Sequence, residues 1–259
     1  MRWTAIHLLP WLLPLLLLGG WAGVCGLALV PDWLLPSPWR VLETLTAYLG
    51  MNTTKNAGWS GCFWPDAAAS LGRVACGYAL AAIPAIPLGL LAGRCAWAER
   101  LLAPSLNGIR AVPGISWLPL VILWCGIGFV ATVTLIALAA FFPVYFSAAA
   151  GAASVPSSLT ATGRMLGLSR AAVFRRVVLP WAMPQLAAGL RVALGFSFAY
   201  LVLGELTGVP DGLGARIMDA RMNGQADLLI CGIVCIACLG AACDRVLLLL
   251  LRRLPGMVR

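Results

Sequence analysis

Residues 156–180 read P-S-S-L-T-A-T-G-R-M-L-G-L-S-R-A-A-V-F-R-R-V-V-L-P, a polar, arginine-rich island between two long apolar runs. Pro156 followed by Ser157 and Ser158 is a helix-start signal, and the helix it opens runs to Leu166 and breaks at Gly167. Ser169 is placed to cap a second helix. That helix carries Phe174 and Val177-Val178 toward the next apolar run and stops near Pro180. Leu159, Met165 and Leu166 are apolar side chains in this island with no membrane to enter. They suit either an amphipathic helix on lipid headgroups or a docking helix that fills a groove on a partner. The island alone leaves both readings open.

Outward from the island the chain is too apolar for a soluble fold. Hydrophobic residues make up 61% of the 259 and charged residues 10%, with a mean hydropathy of +0.94. A soluble domain carries about 25% charged residues. Disorder and a collagen repeat are excluded by the same composition, which leaves an all-α integral membrane protein. A helix needs about 20 apolar residues to span a bilayer. Six runs qualify, at 8–30, 71–93, 111–127, 129–151, 181–204 and 228–250. A cleaved signal peptide is the rival reading of the first, but the apolar stretch passes Gly26 without an A-x-A site, so an uncleaved helix is expected. The resulting segments are an N-terminal transmembrane helix (1–30), an external loop with interfacial helices (31–70) and a five-helix core (71–259) that includes the insert 152–179. Trp33, Trp39, Trp59 and Trp64 in the loop suit a headgroup belt. It also holds an Asn52-Thr53-Thr54 sequon, too short a signal to interpret. Arg94, Arg100 and Arg110 read as a short basic loop, and Gly126-Ile127-Gly128 as a tight turn.

Six spans force the polar segments to alternate sides. One side then holds twelve of the basic residues, all Arg, and the other holds Arg40, Lys55, Arg216 and Arg221. The positive-inside rule places the richer side, with the insert and both termini, in the cytoplasm. The net charge of +9 is thus an orientation signal, and with a single Lys the chain is not expected to bind nucleic acid.

Little else carries chemistry. Cys231, Cys235 and Cys238 share one side of a helix, but without a nearby His or second Cys pair they read as packing residues, and no metal site is expected. The only His is His7, beside the first span, so no Ser–His pair can form in the core and no catalytic residue is expected. No G-x-x-x-x-G-K-[ST] occurs, so the chain is not itself a P-loop ATPase. Between Leu71 and Gly204 the only acid is Glu99. That weakens the alternative of an ATP-independent secondary transporter or channel, which would need intramembrane carboxylates.

The motifs resemble a family. Gly167, nine residues, then Val177-Val178-Leu179-Pro180 looks like the tail of the EAA loop of ABC importer permeases. Leu71-Gly72-Arg73-Val74, Arg110-Ala111-Val112-Pro113, Pro119 to Gly128, Phe141-Phe142-Pro143, Gly189 to Leu194, Gly204-Glu205 and Gly212-Leu213-Gly214 follow that family in order. The chain is similar over residues 70–253 to the binding-protein-dependent permeases for nitrate, taurine and aliphatic sulfonates. The resemblance implies a type I ABC importer permease fold in a bacterial cytoplasmic (inner) membrane. It implies a permease homodimer among membrane lipids, with two ATP-binding cassette ATPase subunits that bind ATP and Mg, and an external solute-binding protein, periplasmic or lipid-anchored. This chain would carry no cofactor and would not be an enzyme. The solute would be a small oxyanion such as nitrate, a sulfonate or taurine. The helix after Pro156 would be the coupling helix, with Leu159, Gly163, Arg164, Met165, Leu166, Gly167, Leu168, Ser169, Phe174 and Pro180 as the ATPase-coupling residues. One motif departs: the family's Glu-Ala-Ala falls on Ala161-Thr162-Gly163. For the solute path the candidates are Arg191, Glu205, Trp117 and Trp124. Each also has a structural reading: pairing or snorkelling for Arg191, headgroup contact for Glu205, and packing for the tryptophans.

Overall fold

The structure is a computed structural model that describes residues 2–51 and 58–253, with side chains of the first helix from Leu12 onward. Lys55 and the Asn52-Thr53-Thr54 triplet lie outside the described residues, as does the His7 side chain. The described residues contain helices and no strands. They are α1 (Arg2–Gly26), α2 (Pro38–Tyr48), α3 (Phe63–Arg94), α4 (Ala96–Ala111), a 3₁₀ turn (Gly114–Trp117), α5 (Leu118–Cys125), α6 (Phe129–Ala153), α7 (Ser157–Met165), α8 (Arg170–Val173), a π turn (Phe174–Val178), α9 (Leu179–Glu205), α10 (Leu213–Met222) and α11 (Ala226–Arg252).

The core is α6 clamped between α3 and α9. In lipid, helices gain nothing from hiding apolar surface from one another, so close backbone approach between small residues does the work. Gly77, Ala81, Ala85, Gly89 and Gly93 recur every fourth residue on α3 and meet α6. A Cβ on Gly89 would stand 2.5 Å from the Tyr145 carbonyl oxygen and 2.7 Å from the Ala148 Cβ, so only glycine fits. On the other side of α6, Gly204 packs against Thr132 in the same way. α11 lies against α9, α10 and α2. α1 stands apart, tethered by a hydrogen bond from the Trp21 indole to the Pro36 carbonyl, 3.1 Å.

Several expected boundaries shift. The second span begins at Phe63, eight residues before the expected start at 71, so the end of the external loop belongs to α3. The basic loop after Arg94 is the helix α4, whose Leu102 and Leu106 pack on the core. The expected span over 111–127 holds only the short helical run Gly114–Cys125, which meets α4 at 86° and can cross a membrane only together with it. The break falls at Val112, which precedes Pro113 and takes the extended conformation that a following proline favours. The tight turn at Gly126 and Gly128 forms as expected, both glycines having positive φ. The stop expected near Pro180 does not occur. Leu179 donates its N–H five residues back to the Phe174 carbonyl, and this π turn accommodates the proline in a continuous helical run, Arg170–Glu205. Among the described residues four helices can cross a membrane by length and apolarity, or five if the bent pair is one span. The apolar stretch Leu12–Gly26 is shorter.

Candidate functional site: cavity, insert and polar knot

The insert's boundaries at Pro156, Gly167 and Ser169 fall where its sequence places them. α7 ends in a Schellman arrangement, in which Leu168 N–H donates to the Gly163 carbonyl at 3.1 Å and Gly167 N–H to the Arg164 carbonyl at 3.0 Å. Gly167 supplies the left-handed residue this requires, with φ of +80°. Ser169 Oγ then accepts from Ala172 N–H at 3.3 Å and starts α8. Two sets of side chains result. Thr160 and Gly163 turn inward, with room for a Cβ on Gly163 only 3.3 Å from Val173. Met165 and Leu166 turn outward, 86% and 76% exposed, with Leu159 and Arg164 beside them. Phe174 and Leu168 are half-buried where the insert meets the bundle, and Pro180 lies just beyond the π turn. The Glu-Ala-Ala departure thus puts Ala161 at an exposed position and glycine at a buried, crowded one.

A cavity of about 580 Å³ opens between α6, α9 and the bent segment after α4. Its wall is largely aromatic and aliphatic, with polar groups from Ser147, Gln185 and Tyr200 and a single charge, Arg110. α4 carries Arg110 over the ring of Phe146, 4.4 Å from the centroid. Phe146 lies seven residues before the end of α6, which is about 10 Å along the helix axis. Arg110 therefore ends a helix, with an exposed side chain at the rim of this cavity, rather than lying in a surface loop. On the far side Gly114 sits directly on the Tyr200 ring, and any side chain there would collide with it.

The expected path residues are not brought together. Trp117 lines the cavity. Trp124 is 70% exposed on α5 and points away from it. Arg191 also faces elsewhere: it makes a bidentate pair with Asp244 of α11, at 2.8 and 2.7 Å. Glu205 is neither in the cavity nor among headgroups. It is fully buried at the end of the core opposite the insert.

There Glu205 accepts from Arg73 Nη1 at 2.7 Å, Ser70 Oγ at 2.8 Å and Gly214 N–H at 2.7 Å. Arg73 also donates to the Asp211 carboxylate and, at 2.9 Å, to its carbonyl. Asp66 accepts from Tyr48 OH at 2.8 Å, Arg216 Nε at 3.1 Å and Gly212 N–H at 3.3 Å. The two carboxylates thus meet the start of α10, where free N–H groups and the helix dipole favour negative charge. Burial first, and then the bond to Asp66, push the Tyr48 hydroxyl well above its ordinary value, so it stays a donor. This knot joins α2, α3, α9 and α10. The sequence reading named Arg73 only within the Leu71-Gly72-Arg73-Val74 motif and did not see the knot. The signal was present: Asp66, Ser70 and Arg73 lie at i, i+4 and i+7 on one face of α3. Arg110 was missed because α4 was read as a loop, although Leu102 and Leu106 have helical spacing.

The described residues form a helical bundle apolar enough to cross a membrane, with a structured insert and a solute-sized cavity, an arrangement that suits a membrane permease. The chain belongs to the family of binding-protein-dependent transport system inner membrane components, whose pattern it matches over residues 85–255. It is 36% identical to the taurine transport system permease protein TauC of Escherichia coli over 238 residues, covering 92% of this chain and 85% of that protein. It is 31% identical to the nitrate import permease protein NrtB of Leptolyngbya laminosa over 245 residues, covering 93% and 82%. In fold it is similar to a chain of the MetNI methionine ABC transporter in an inward-facing conformation, with a TM-score of 0.58 over 73% of this chain and 95% of that one, at 17% identity. Membership makes the chain a transport permease and favours that reading over the ATP-independent transporter or channel.

Proposed function

We propose that this chain is the membrane-spanning subunit of an ATP-driven importer for a small oxyanion, with taurine, related sulfonates and nitrate as the solute class. The solute class is supported by relatives named for taurine and nitrate transport. α7 is the coupling helix. The observation that carries this is the outward face of Leu159, Met165 and Leu166, apolar yet exposed on a helix fixed at its C-terminal end. A groove on an ATPase subunit is the occupant proposed for it, and ATP and Mg are bound there rather than in this chain. Leu168, Ser169, Phe174 and Pro180 transmit the motion into α9, since helix is continuous from Arg170 to Glu205. Two copies pair across the path, and an external binding protein delivers the solute to the knot end. The bent pair serves as one span and α1 as another, so six spans put both termini on the arginine-rich, cytoplasmic side.

The test is ATP-dependent uptake into proteoliposomes that hold the full chain, its cognate ATP-binding cassette subunit and the loaded binding protein. Radiolabelled taurine, ethanesulfonate and nitrate are offered. Uptake of at least one is expected, and deletion of residues 157–170 abolishes both uptake and co-purification of the ATPase. Uptake by this chain alone without ATP, or retained co-purification after the deletion, overturns the proposal.

A further inference from the structure

We infer that Arg110 is the anion contact of the transport cavity, the residue through which the bundle recognises the charged end of its solute. This rests on the oxyanion reading above and goes beyond it by naming the site. The sequence points to Arg191 for that role, but the two arginines differ in what they already hold. Both ends of the Arg191 fork are occupied, Nε and Nη2 each bonded to a different oxygen of Asp244. Arg110 makes no ion pair or hydrogen bond with a described carboxylate. Its guanidinium stands over the Phe146 ring. That contact engages the face of the cation and leaves its edge, with five N–H donors, available. A guanidinium edge matches two oxygens of a sulfonate, or of nitrate, in a bidentate pair.

The surroundings fit the same ligand. Arg110 is the one charge on a wall that also offers the Ser147 hydroxyl, the Gln185 amide and the Tyr200 hydroxyl. These are the few convergent polar groups that orient a small solute in a mostly apolar pocket. Among the described residues no carboxylate lines the wall to repel an anion or to compete for the arginine. The cavity volume of about 580 Å³ exceeds what a sulfonate of a few carbons needs. Trp117 on the same wall supplies a reporter.

The experiment uses the full chain in nanodiscs, labelled with 5-fluorotryptophan, the Trp117 resonance being assigned by loss in Trp117→Phe. Titration with taurine, methanesulfonate or nitrate is expected to shift that ¹⁹F signal saturably. Arg110→Gln weakens the apparent affinity roughly tenfold or more, Arg110→Lys recovers part of it, and Arg191→Gln leaves it unchanged. In the proteoliposome assay with saturating loaded binding protein, Arg110→Gln lowers the maximal rate of uptake while the complex still co-purifies. A wild-type complex that transports taurine but shows no Trp117 shift overturns the inference and leaves the oxyanion reading standing. So does an Arg110→Gln chain that binds like the wild type, or loss of the shift in Arg191→Gln alone. A wild-type complex that moves none of the oxyanions overturns the oxyanion reading itself.

Discussion

The two ends of the α3–α6–α9 core hold their charges differently. At the end away from the insert, Arg73, Glu205 and Asp66 are buried and meet one another's neighbours through α2, α3, α9 and α10. At the insert end, Arg164, Arg170, Arg175 and Arg176 are all exposed, and none makes an ion pair with a described residue. Apolar groups follow the same division: the knot end hides Tyr48 and Leu213, whereas the insert displays Met165 and Leu166. A buried charge is tolerable when it is paired and hydrogen-bonded, and the knot does this for both carboxylates and for both Nη atoms of Arg73, although Arg73 Nε has no partner among the described residues. A face left exposed and apolar has its energy still to gain. The first end pairs its charges within this chain, and the second leaves an apolar face open, which is where the proposed coupling would act.

The comparison breaks most visibly at the knot. Arg73→Ala strands Glu205 as a buried carboxylate beside Asp211, a loss of about 3–5 kcal/mol. The checking measurement is thermal unfolding in detergent, where the variant should melt far below the wild type. A small shift would mean that water reaches Glu205 and that the two ends are less different than they look.

Tyr48→Phe is a finer probe of the same end. Asp66 keeps Arg216 and Gly212, so the cost is about 1 kcal/mol, read by the same melt. The pH dependence has a definite sign. Folding raises the Tyr48 hydroxyl, so its contribution is complete below the unfolded tyrosine value of about 10 and fades as pH rises through the folded one. The variant should therefore lose less stability above that pH than the wild type does.

At the insert the expectation reverses. Met165→Glu with Leu166→Glu should change the melting behaviour by no more than about 0.5 kcal/mol per site, since both side chains are exposed. Co-purification with the ATPase subunit should nevertheless be lost. A large drop in stability would show that this face packs within the chain after all.

The smallest effect is expected at Gly163→Ala, which restores the family's alanine. Helix propensity favours alanine by about 1 kcal/mol. The new methyl would press on Val173 at 3.3 Å, which needs only a shift of a few tenths of an ångström. The net change in the melt should be near zero. Leucine at the same place, in contrast, should detach α7 from α8 and lower co-purification.

How much of this was legible follows from what each signal depends on. The insert could be read because its signals are local: Pro156, Gly167 and Ser169 act on their own backbone neighbours, and the helices begin and end there. Pro180 misled because a proline's effect depends on whether the preceding turn can widen, and here it does. Span three misled because length and apolarity alone do not register the bend at Val112-Pro113. The path residues were least legible. Arg191 and Arg110 look alike in sequence, and only Asp244, 53 residues away, separates them.

By itself the sequence determined the membrane class, the apolar helices and the capped helices of the insert. Each of these is set by composition or by residues within a turn or two of one another. The tertiary structure alone decided that Glu205 is a buried knot, that Arg191 is already paired, and that Arg110 stands at a cavity. Those are facts about which helix faces meet, and the small residues at 77, 81, 85, 89 and 93 bring the faces close enough to meet. A charge in a membrane protein takes its role from its partner, and the partner lies far away along the chain.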